Sequence, residues 1–310
     1  MKRDFLTLSD LDETEILRLL ERAIEMKRAA VSGGASLASL ANKSVGLIFE
    51  KASTRTRVSF EAAVYQLGAH PIYMNPNDIQ LGRGETVADT ARVLSSYLNA
   101  IIIRTFAHER IEEFARNSRV PVINGLTDRH HPCQALADLM TMLEKKGRLE
   151  GLKVAYIGDG NNVANSLVQG AGMMKMDLSI ACPEGFEPDP LVLENAKKSA
   201  RSEIVVLREP REAAGRSDVI YTDVWVSMGQ EQKANDKKSR FKNYQINDAL
   251  LACAKPDTIV MHCLPAHREE EITSAVMDGP RSVVFEQAEN RLYTGKALLE
   301  RLLQKPDVRL

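Results

Sequence analysis

The sequence predicts an α/β protein made of two doubly wound parallel-sheet domains, with the active site in the cleft between them. Short apolar runs, most of them rich in Val and Ile, alternate with amphipathic helical patterns from one end of the chain to the other. The chain has 310 residues, which favours two domains. Polar clusters follow several of the apolar runs, and ligands bind beyond the carboxyl ends of the strands in open parallel sheets.

The apolar runs are continuous rather than alternating, as expected for strands that are buried on both faces. In the first half of the chain, strands are predicted over residues 45–49, 71–74, 100–104 and 120–123. In the second half, strands are predicted over residues 153–157, 178–182, 204–207, 219–222, 258–262 and 283–285.

Helical patterns lie between these runs, and the chain divides at a polar, Gly-flanked stretch. Ser9 or Asp10 is expected to cap a first helix that ends near residue 30. Further helices are predicted over residues 58–67, 86–98, 134–146 and 164–174. The charged stretch 231–242 is predicted to be a mobile surface loop of the kind that forms lids.

The division at residues 145–151 gives two domains. The first covers residues 1–147, and the second covers residues 148–290. A C-terminal helix over about residues 291–310 is expected to pack back on the first domain.

Composition narrows the class of protein. Lys and Arg total 41 against 42 Asp and Glu, so no basic excess indicates nucleic-acid binding and no membrane partner is indicated. The four cysteines share no CxxC spacing, which argues against a disulfide framework and a zinc knuckle. No apolar run approaches the roughly 20 residues that span a bilayer. Residues 1–5 lack the apolar core of a signal peptide, and a reduced, cytoplasmic location is expected.

The most informative motif is Ser53-Thr54-Arg55-Thr56-Arg57, which follows the apolar run 45–49. A strand, a short polar loop and a helix start form a typical phosphate site, because the first backbone N–H groups of a helix are unpaired and its dipole is positive there. Hydroxyl groups add donors, and arginine adds a planar fork that matches phosphate oxygens. The alternative is a Ser or Thr cap beside two solvated arginines.

Other polar residues also follow predicted strands, and each has an ordinary explanation when taken alone. Arg104 could be a surface arginine, and His131 could be a packed or capping histidine. Asp223 could cap the next segment, and Cys263 could be an inert core thiol. His130, His131 and Cys133 have no second ligand cluster with zinc spacing. Val163 stands where the third glycine of a dinucleotide loop belongs, so that fingerprint is broken.

Together the motifs resemble the aspartate/ornithine transcarbamylase family. Ser53-Thr54-Arg55-Thr56-Arg57 with His131-Pro132-Cys133-Gln134 is similar to the carbamoyl phosphate half of that family. The runs 223–229 (DVWVSMG), 262–265 (HCLP) and 78–85 (DIQLGRGE) resemble the ornithine-specific branch. The resemblance covers residues 5–303. It implies transfer of the carbamoyl group of carbamoyl phosphate to the δ-amine of L-ornithine, giving L-citrulline and phosphate, without a metal or organic cofactor.

The resemblance also implies roles for individual residues. Arg104, His131, Asp223 and Cys263 are the implied catalytic residues. The implied ligands of carbamoyl phosphate are Ser53, Thr54, Arg55, Thr56, Gln80, Arg104, His131, Gln134, Cys263, Leu264 and Arg291, with Gln80 reaching the site of a neighbouring subunit. The implied ligands of ornithine are Asn162, Asp223, Ser227 and Met228.

Other functions stay open at this point. The acceptor could be an N-acylated ornithine, putrescine or aspartate, and two further classes are a dinucleotide-binding oxidoreductase and a two-lobed binding protein. The resemblance implies a homotrimer or a multiple of trimers. Sequence alone does not separate a biosynthetic role, toward arginine, from a catabolic one.

Overall fold

The computed structural model describes residues 2–33, 38–75, 79–80, 84–226 and 234–304. The chain forms two compact units, of which the first comprises Met1–Leu136 with Asn290–Leu310 and the second comprises Ala137–Glu289. One unit holds a four-stranded parallel sheet and the other a five-stranded parallel sheet, each with flanking helices, which confirms the predicted fold class. In the described part of the chain, no helix is both long and apolar enough to cross a membrane.

The first unit contains the sheet order β2-β1-β3-β4. Its strands are β1 (Ser44–Phe49), β2 (His70–Met74), β3 (Ala100–Arg104) and β4 (Val122–Leu126). Its helices are α1 (Glu13–Val31), α2 (Thr54–Gln66), α3 (Val87–Tyr97) and α4 (His108–Asn117), and α5 (Pro132–Lys146) begins in this unit and continues into the second. The strand order reverses between β1 and β3, so the loops that follow these two strands flank a topological switch point.

The first helix begins later than the sequence predicted. Leu8–Asp10 forms a 3-10 turn, and the Asp12 side chain caps α1 by accepting the N–H of Glu15 at 2.8 Å. The Glu15 carboxylate in turn accepts the backbone N–H of Asp12, which completes a capping box. The prediction of Ser9 or Asp10 as the cap was therefore wrong, since Asp10 instead accepts backbone N–H groups within the preceding turn.

The second unit contains the sheet order β7-β6-β5-β8-β9. Its strands are β5 (Lys153–Ile157), β6 (Asp177–Ala181), β7 (Ile204–Leu207), β8 (Val219–Thr222) and β9 (Ile259–His262). Its helices are α6 (Asn162–Met173), α7 (Pro190–Ser199), α8 (Pro210–Ala214), α9 (Ala234–Phe241), α10 (Asp248–Leu251) and α11 (Ser274–Met277). The last helix, α12 (Val284–Leu303), begins here and continues into the first unit. The order reverses between β5 and β8, which makes a second switch point.

Two predicted elements of the second unit were wrong. Within the predicted loop 231–242, residues 234–241 form α9, whose Phe241 is fully buried and packs 4.9 Å from the Phe186 ring, while residues 231–233 lie outside the described residues. The predicted strand 283–285 is the approach to and first turn of α12. Val283 and Val284 are buried, and a short buried apolar run does not distinguish a strand from a helix start.

Candidate active site

The start of α2 forms a candidate site in the first unit. Ser53 is the N-cap, and its hydroxyl oxygen accepts the N–H of Thr56 at 3.2 Å. The helix therefore begins directly after the loop that follows β1, at the switch point of the first sheet. The first backbone N–H groups of a helix and the positive end of its dipole make such a position suited to an anion.

Thr56 is the centre of a buried cluster of four predicted residues. Its hydroxyl oxygen accepts a hydrogen bond from Arg291 at 2.9 Å and a longer one from Arg104 at 3.5 Å. Arg291 also donates to the side-chain oxygen of Gln134 at 2.5 Å. Arg104 ends β3, Gln134 lies in the first turn of α5, and Arg291 lies on α12. The fold thus gathers two arginines beside the start of α2, where they favour a negatively charged ligand.

His131 lies beside this cluster and is almost fully buried. Burial holds the pKa of its imidazole well below the usual value, and the charges of Arg291, Arg104 and Arg55 lower it further. The imidazole is therefore neutral at pH 7 and can donate one N–H bond without adding charge.

Folding stability is expected to fall below pH 6.5 because of His131. In the unfolded chain its imidazole binds a proton near pH 6.5, whereas the folded protein keeps it neutral to a lower pH. The unfolded state then binds more protons, so the free energy of unfolding drops by up to about 1.4 kcal/mol per pH unit in that window. Denaturant unfolding of the wild type and His131→Asn from pH 7.5 to 5 measures the slope. Exposed His267→Asn is the control, and equal slopes for all three proteins would contradict the assignment.

The remaining predicted residues of the first unit are less enclosed. Ser53 and Arg55 are half-buried, and Thr54 and Gln80 are exposed. Arg57 is engaged elsewhere, since its guanidinium pairs with Glu61 at 3.0 Å and lies 3.5 Å from the centroid of the Tyr73 ring.

Lys51 is a further cation of this region that the sequence interpretation missed. It lies in the loop between β1 and α2, pairs with Asp128, and places its ammonium group 4.4 Å from the Phe106 ring centroid. Its position two residues before Ser53 is the signal that could have identified it.

Asp223 is the centre of a candidate site in the second unit. One carboxylate oxygen accepts from the Cys263 thiol at 2.8 Å and from the backbone N–H of Val224 at 2.8 Å. The other oxygen accepts from the side-chain amide of Asn161 at 2.7 Å. Asp223 follows β8, and Asn161 follows β5, so this contact spans the switch point of the second sheet.

Asn161, the residue before the predicted Asn162, contacts Asp223. Its side-chain oxygen also accepts the N–H groups of Val163 and Ala164, so it caps α6 while its amide group reaches the carboxylate. The sequence interpretation selected Asn162, which is half-buried in the first turn of the same helix. Asn161 could have been identified as an N-cap from its place before a helical pattern.

The turn at Cys263 and Leu264 is held by His262. The backbone N–H of Leu264 donates to Nδ1 of His262 at 2.8 Å, so the ring proton lies on Nε2, which faces Glu271 at 3.1 Å. His262 and Glu271 are both fully buried. Sequence reasoning missed Glu271, which lies nine residues further along the chain in an irregular segment.

A buried ion pair lies beside the loop after β5. Lys237 on α9 donates to the Asp159 carboxylate at 2.6 Å. Burial raises the pKa of Asp159, and Lys237 opposes that effect. Ser227 and Met228, which are also predicted ligands of ornithine, lie outside the described residues.

Two groups of side chains in the described residues have the geometry to hold a metal ion. Asp223, His262 and Cys263 place their ligand atoms within 4.8 Å of one another, as do His267, Glu270 and Glu271. In the first group, the Cys263 thiol bonds to Asp223, and both ring nitrogens of His262 have partners. A metal ion in the first group would have to displace these hydrogen bonds.

Two family models of known proteins match consecutive parts of the chain. Residues 3–144 match the family described as aspartate/ornithine carbamoyltransferase, carbamoyl-P binding domain. Residues 150–302 match its companion, the Asp/Orn binding domain.

Relatives align with the whole chain. The ornithine carbamoyltransferase of Syntrophus aciditrophicus is 52% identical over 98% of this chain and 100% of its own length. That of Bacillus subtilis is 53% identical over 98% of this chain and 94% of its own. The solved ornithine carbamoyltransferase of Pyrococcus furiosus superposes with a TM-score of 0.94 at 50% identity, covering 97% of each chain. With both domain models matched in order and relatives aligned over their full length, this chain belongs to the aspartate/ornithine carbamoyltransferase family.

Proposed function

We propose that the protein is an enzyme that transfers the carbamoyl group of carbamoyl phosphate to the δ-amine of L-ornithine, giving L-citrulline and phosphate. Full-length relatives at more than half identity are ornithine carbamoyltransferases by name, which supports ornithine as the acceptor. The structural observation that carries the proposal is the Asp223 carboxylate, which accepts from Cys263 and Asn161 at a switch point. A carboxylate at such a site suits an amine substrate.

The first unit supplies the groups that carbamoyl phosphate requires. Phosphate is the leaving group, so the site must hold a dianion, and we assign this task to Ser53, Thr54, Arg55 and Thr56. Arg104 and neutral His131 are assigned to the carbonyl oxygen, which gains charge as the amine attacks. A preorganised donor of this kind contributes about 3–4 kcal/mol to lowering the barrier.

The other assigned contacts complete the carbamoyl phosphate set. Gln134 and the backbone of Cys263 and Leu264 are assigned to the carbamoyl NH2 group. Arg291 is assigned a contact with the same substrate, which its position beside Thr56 supports. Gln80, an exposed residue, is assigned to the site of a neighbouring subunit.

The second unit supplies the groups that ornithine requires. The δ-amine must lose a proton before it attacks, since its free pKa is near ~10 like that of lysine. We assign the Asp223 carboxylate to accept a hydrogen bond from that amine, and we assign Cys263, whose thiol donates to this carboxylate at 2.8 Å, to orient it. Asn162, Ser227 and Met228 are assigned to the α-amino and α-carboxylate groups. No step in this scheme needs a metal or organic cofactor, because carbamoyl phosphate is already an activated mixed anhydride.

The domain limits follow from these assignments. We propose that residues 1–147, with the helix near 291–310, bind carbamoyl phosphate and that residues 148–290 bind ornithine. The family matches at residues 3–144 and 150–302 support a limit between them. The position of Arg291 in the first compact unit supports the return of the last helix to that unit.

A citrulline assay with a panel of acceptors tests the function. Purified protein is incubated with carbamoyl phosphate and with ornithine, N-acetylornithine, putrescine or aspartate. We expect product with ornithine and little with the others. Turnover with another acceptor would retain the carbamoyl phosphate assignments and overturn those of Asp223, Ser227 and Met228. No turnover with any acceptor would contradict the proposed reaction.

We also propose that the protein assembles as a homotrimer or a multiple of trimers. Two large apolar side chains are exposed on α2, Tyr65 at 76% and Val58 at 57%, and their spacing of seven residues puts them on the same face of the helix. Neighbouring β2 is an edge strand of its sheet. Such a group of side chains is typical of a surface that another copy covers.

Tyr65→Glu is expected to reduce the mass measured by light scattering toward that of a monomer, because it places a charge in the covered surface. The control is Leu191→Glu, which changes an apolar side chain of the second unit with 53% exposure. An unchanged mass for Tyr65→Glu would contradict the assignment of this surface.

A cytoplasmic location and a place in arginine biosynthesis stay predictions of the sequence.

A further inference from the structure

A buried network of three polar side chains lies in the second unit and includes none of the predicted ligands. It joins Asp138 on α5, Tyr221 on β8 and Gln287 in the first turn of α12. The Tyr221 hydroxyl donates to one Asp138 oxygen at 2.9 Å, and the Gln287 amide donates to the other at 2.7 Å. The same amide lies 3.1 Å from the Tyr221 oxygen, which closes the cycle. The three residues are 1%, 0% and 0% exposed.

Gln287 connects this cycle to the backbone of β9. Its side-chain oxygen accepts the N–H of His262 at 2.9 Å. β9 is an edge strand whose outer side forms a parallel bridge from Val260 to Ser282, and the Gln287 side chain supplies the acceptor at its last residue. The end of β9 is therefore fixed by a side chain that Asp138 and Tyr221 hold in place.

The two strands that this network touches carry Asp223 and Cys263. Tyr221 stands two residues before Asp223, and His262 stands directly before Cys263. In the parallel register, Tyr221 pairs with Met261 and Thr222 pairs with His262. The network thus holds both strands immediately before the residues that form the 2.8 Å bond between the Cys263 thiol and the Asp223 carboxylate.

We propose that Asp138, Tyr221 and Gln287 are positioning residues that hold the ends of β8 and β9 so that the Cys263 thiol stays on the Asp223 carboxylate. The part of this inference that is tested by enzyme activity rests on the proposed function, whereas the part that is tested by alkylation of Cys263 does not. A buried carboxylate with neutral donors is a costly way to stabilise a core, and apolar side chains of similar volume often serve as well. A network of fixed hydrogen-bond geometry does what apolar packing cannot, since it sets the register of one strand end against the other.

The first experiment measures alkylation of Cys263 without substrate. The variants are Tyr221→Phe and Gln287→Leu, and site-resolved mass spectrometry follows the rate with iodoacetamide. In the wild type the thiol proton is directed at Asp223, so the sulfur must leave this bond before it reacts. We expect both variants to change the rate by roughly fivefold or more, with the larger change for Gln287→Leu, which loses contacts at both ends of its amide.

A matched control separates positioning from stability. Tyr244→Phe also removes a hydroxyl from a buried tyrosine of the same unit, in this case a bond of 2.8 Å to the backbone oxygen of Arg208. It is expected to leave alkylation of Cys263 unchanged at a similar loss of melting temperature. Equal alkylation rates in the wild type, Tyr221→Phe and Gln287→Leu would overturn the inference.

The second experiment restores the network with reversed polarity. In Asp138→Asn, an amide group replaces one acceptor oxygen, so one donor of the cycle loses its partner. In the double variant Asp138→Asn with Gln287→Glu, the new carboxylate can accept from the new amide and still accept the N–H of His262. We expect the single variant to raise KM for ornithine about tenfold and the double variant to recover most of the loss. Losses that simply add would contradict a positioning role.

Alkylation of Cys263 and formation of citrulline test the network and the proposed function independently of each other. Altered alkylation in a protein that carbamoylates no acceptor would retain the network and reject the proposed function. Normal alkylation in a protein that makes citrulline would retain the function and reject the network.

Discussion

Arg55→Ala is expected to lower kcat/KM for carbamoyl phosphate by about 10³-fold with little loss of stability. Arg55 lies half-buried in the first turn of α2, near enough to His131 to lower the pKa of its imidazole. Its guanidinium adds charge where the helix start already favours an anion, and under the proposed function its removal withdraws a phosphate ligand. Initial rates at varied carbamoyl phosphate and saturating ornithine measure the effect.

Arg57→Ala is the matched control for this prediction. Arg57 is on the same helix two residues later, but its guanidinium pairs with Glu61 and stacks on Tyr73. We expect its removal to change kcat/KM by only a few-fold, since exposed pairs contribute little. Similar losses for both arginines would show that general positive charge, and not a ligand at Arg55, explains the result.

Asp223→Asn is expected to lower kcat/KM for ornithine by roughly 10³-fold while the fold is retained. The carboxylate accepts from Cys263, Val224 and Asn161 with its two oxygens. An amide of the same shape turns one acceptor into a donor that faces another donor, and it removes the negative charge that the amine of ornithine would meet. Kinetics at varied ornithine give the size of the loss.

Asp218→Asn serves as its control because Asp218 and Asp223 flank the same strand at opposite ends. Asp218 is also buried, and it pairs with Lys255 at 2.7 Å and accepts the N–H of Lys153. We expect this variant to melt at a lower temperature and to keep its KM for ornithine. A KM that rises as much in Asp218→Asn as in Asp223→Asn would show that a loss of packing, not of a ligand, is being measured.

Sequence reasoning located the strands well because most of them are continuous apolar runs rich in Val and Ile with a polar boundary. The strands β3, β5, β7 and β8 begin and end at the predicted residues. The failures have local causes. Val283 and Val284 are buried without forming a strand, and the N-terminal turn contains three possible caps, of which Asp12 has the Glu15 partner that completes a capping box.

The candidate site was predictable where a motif sits at a strand end and unpredictable where the partner is remote. Ser53 and Asp223 follow strands, and the reversal of strand order places such residues at a switch point. Glu271, Lys237 and Gln287 carry no local signal, since each is an ordinary polar residue until the fold brings it to its partner. The same is true of Asn161, whose capping pattern predicts a helix start but not its bond to Asp223.

The cluster around Thr56 also has a consequence for how the protein is made. Thr56, Gln134 and Arg291 are neighbours in space, yet 235 residues separate Thr56 from Arg291 and 157 separate Gln134 from it. A growing chain on the ribosome therefore builds the first sheet early but cannot complete this cluster until its last helix is synthesised. At about 5–20 residues per second, the wait after Gln134 is on the order of 10–30 s. During that interval the second unit can fold from one continuous segment. The first unit cannot complete its fold until residues 290–304 have been synthesised.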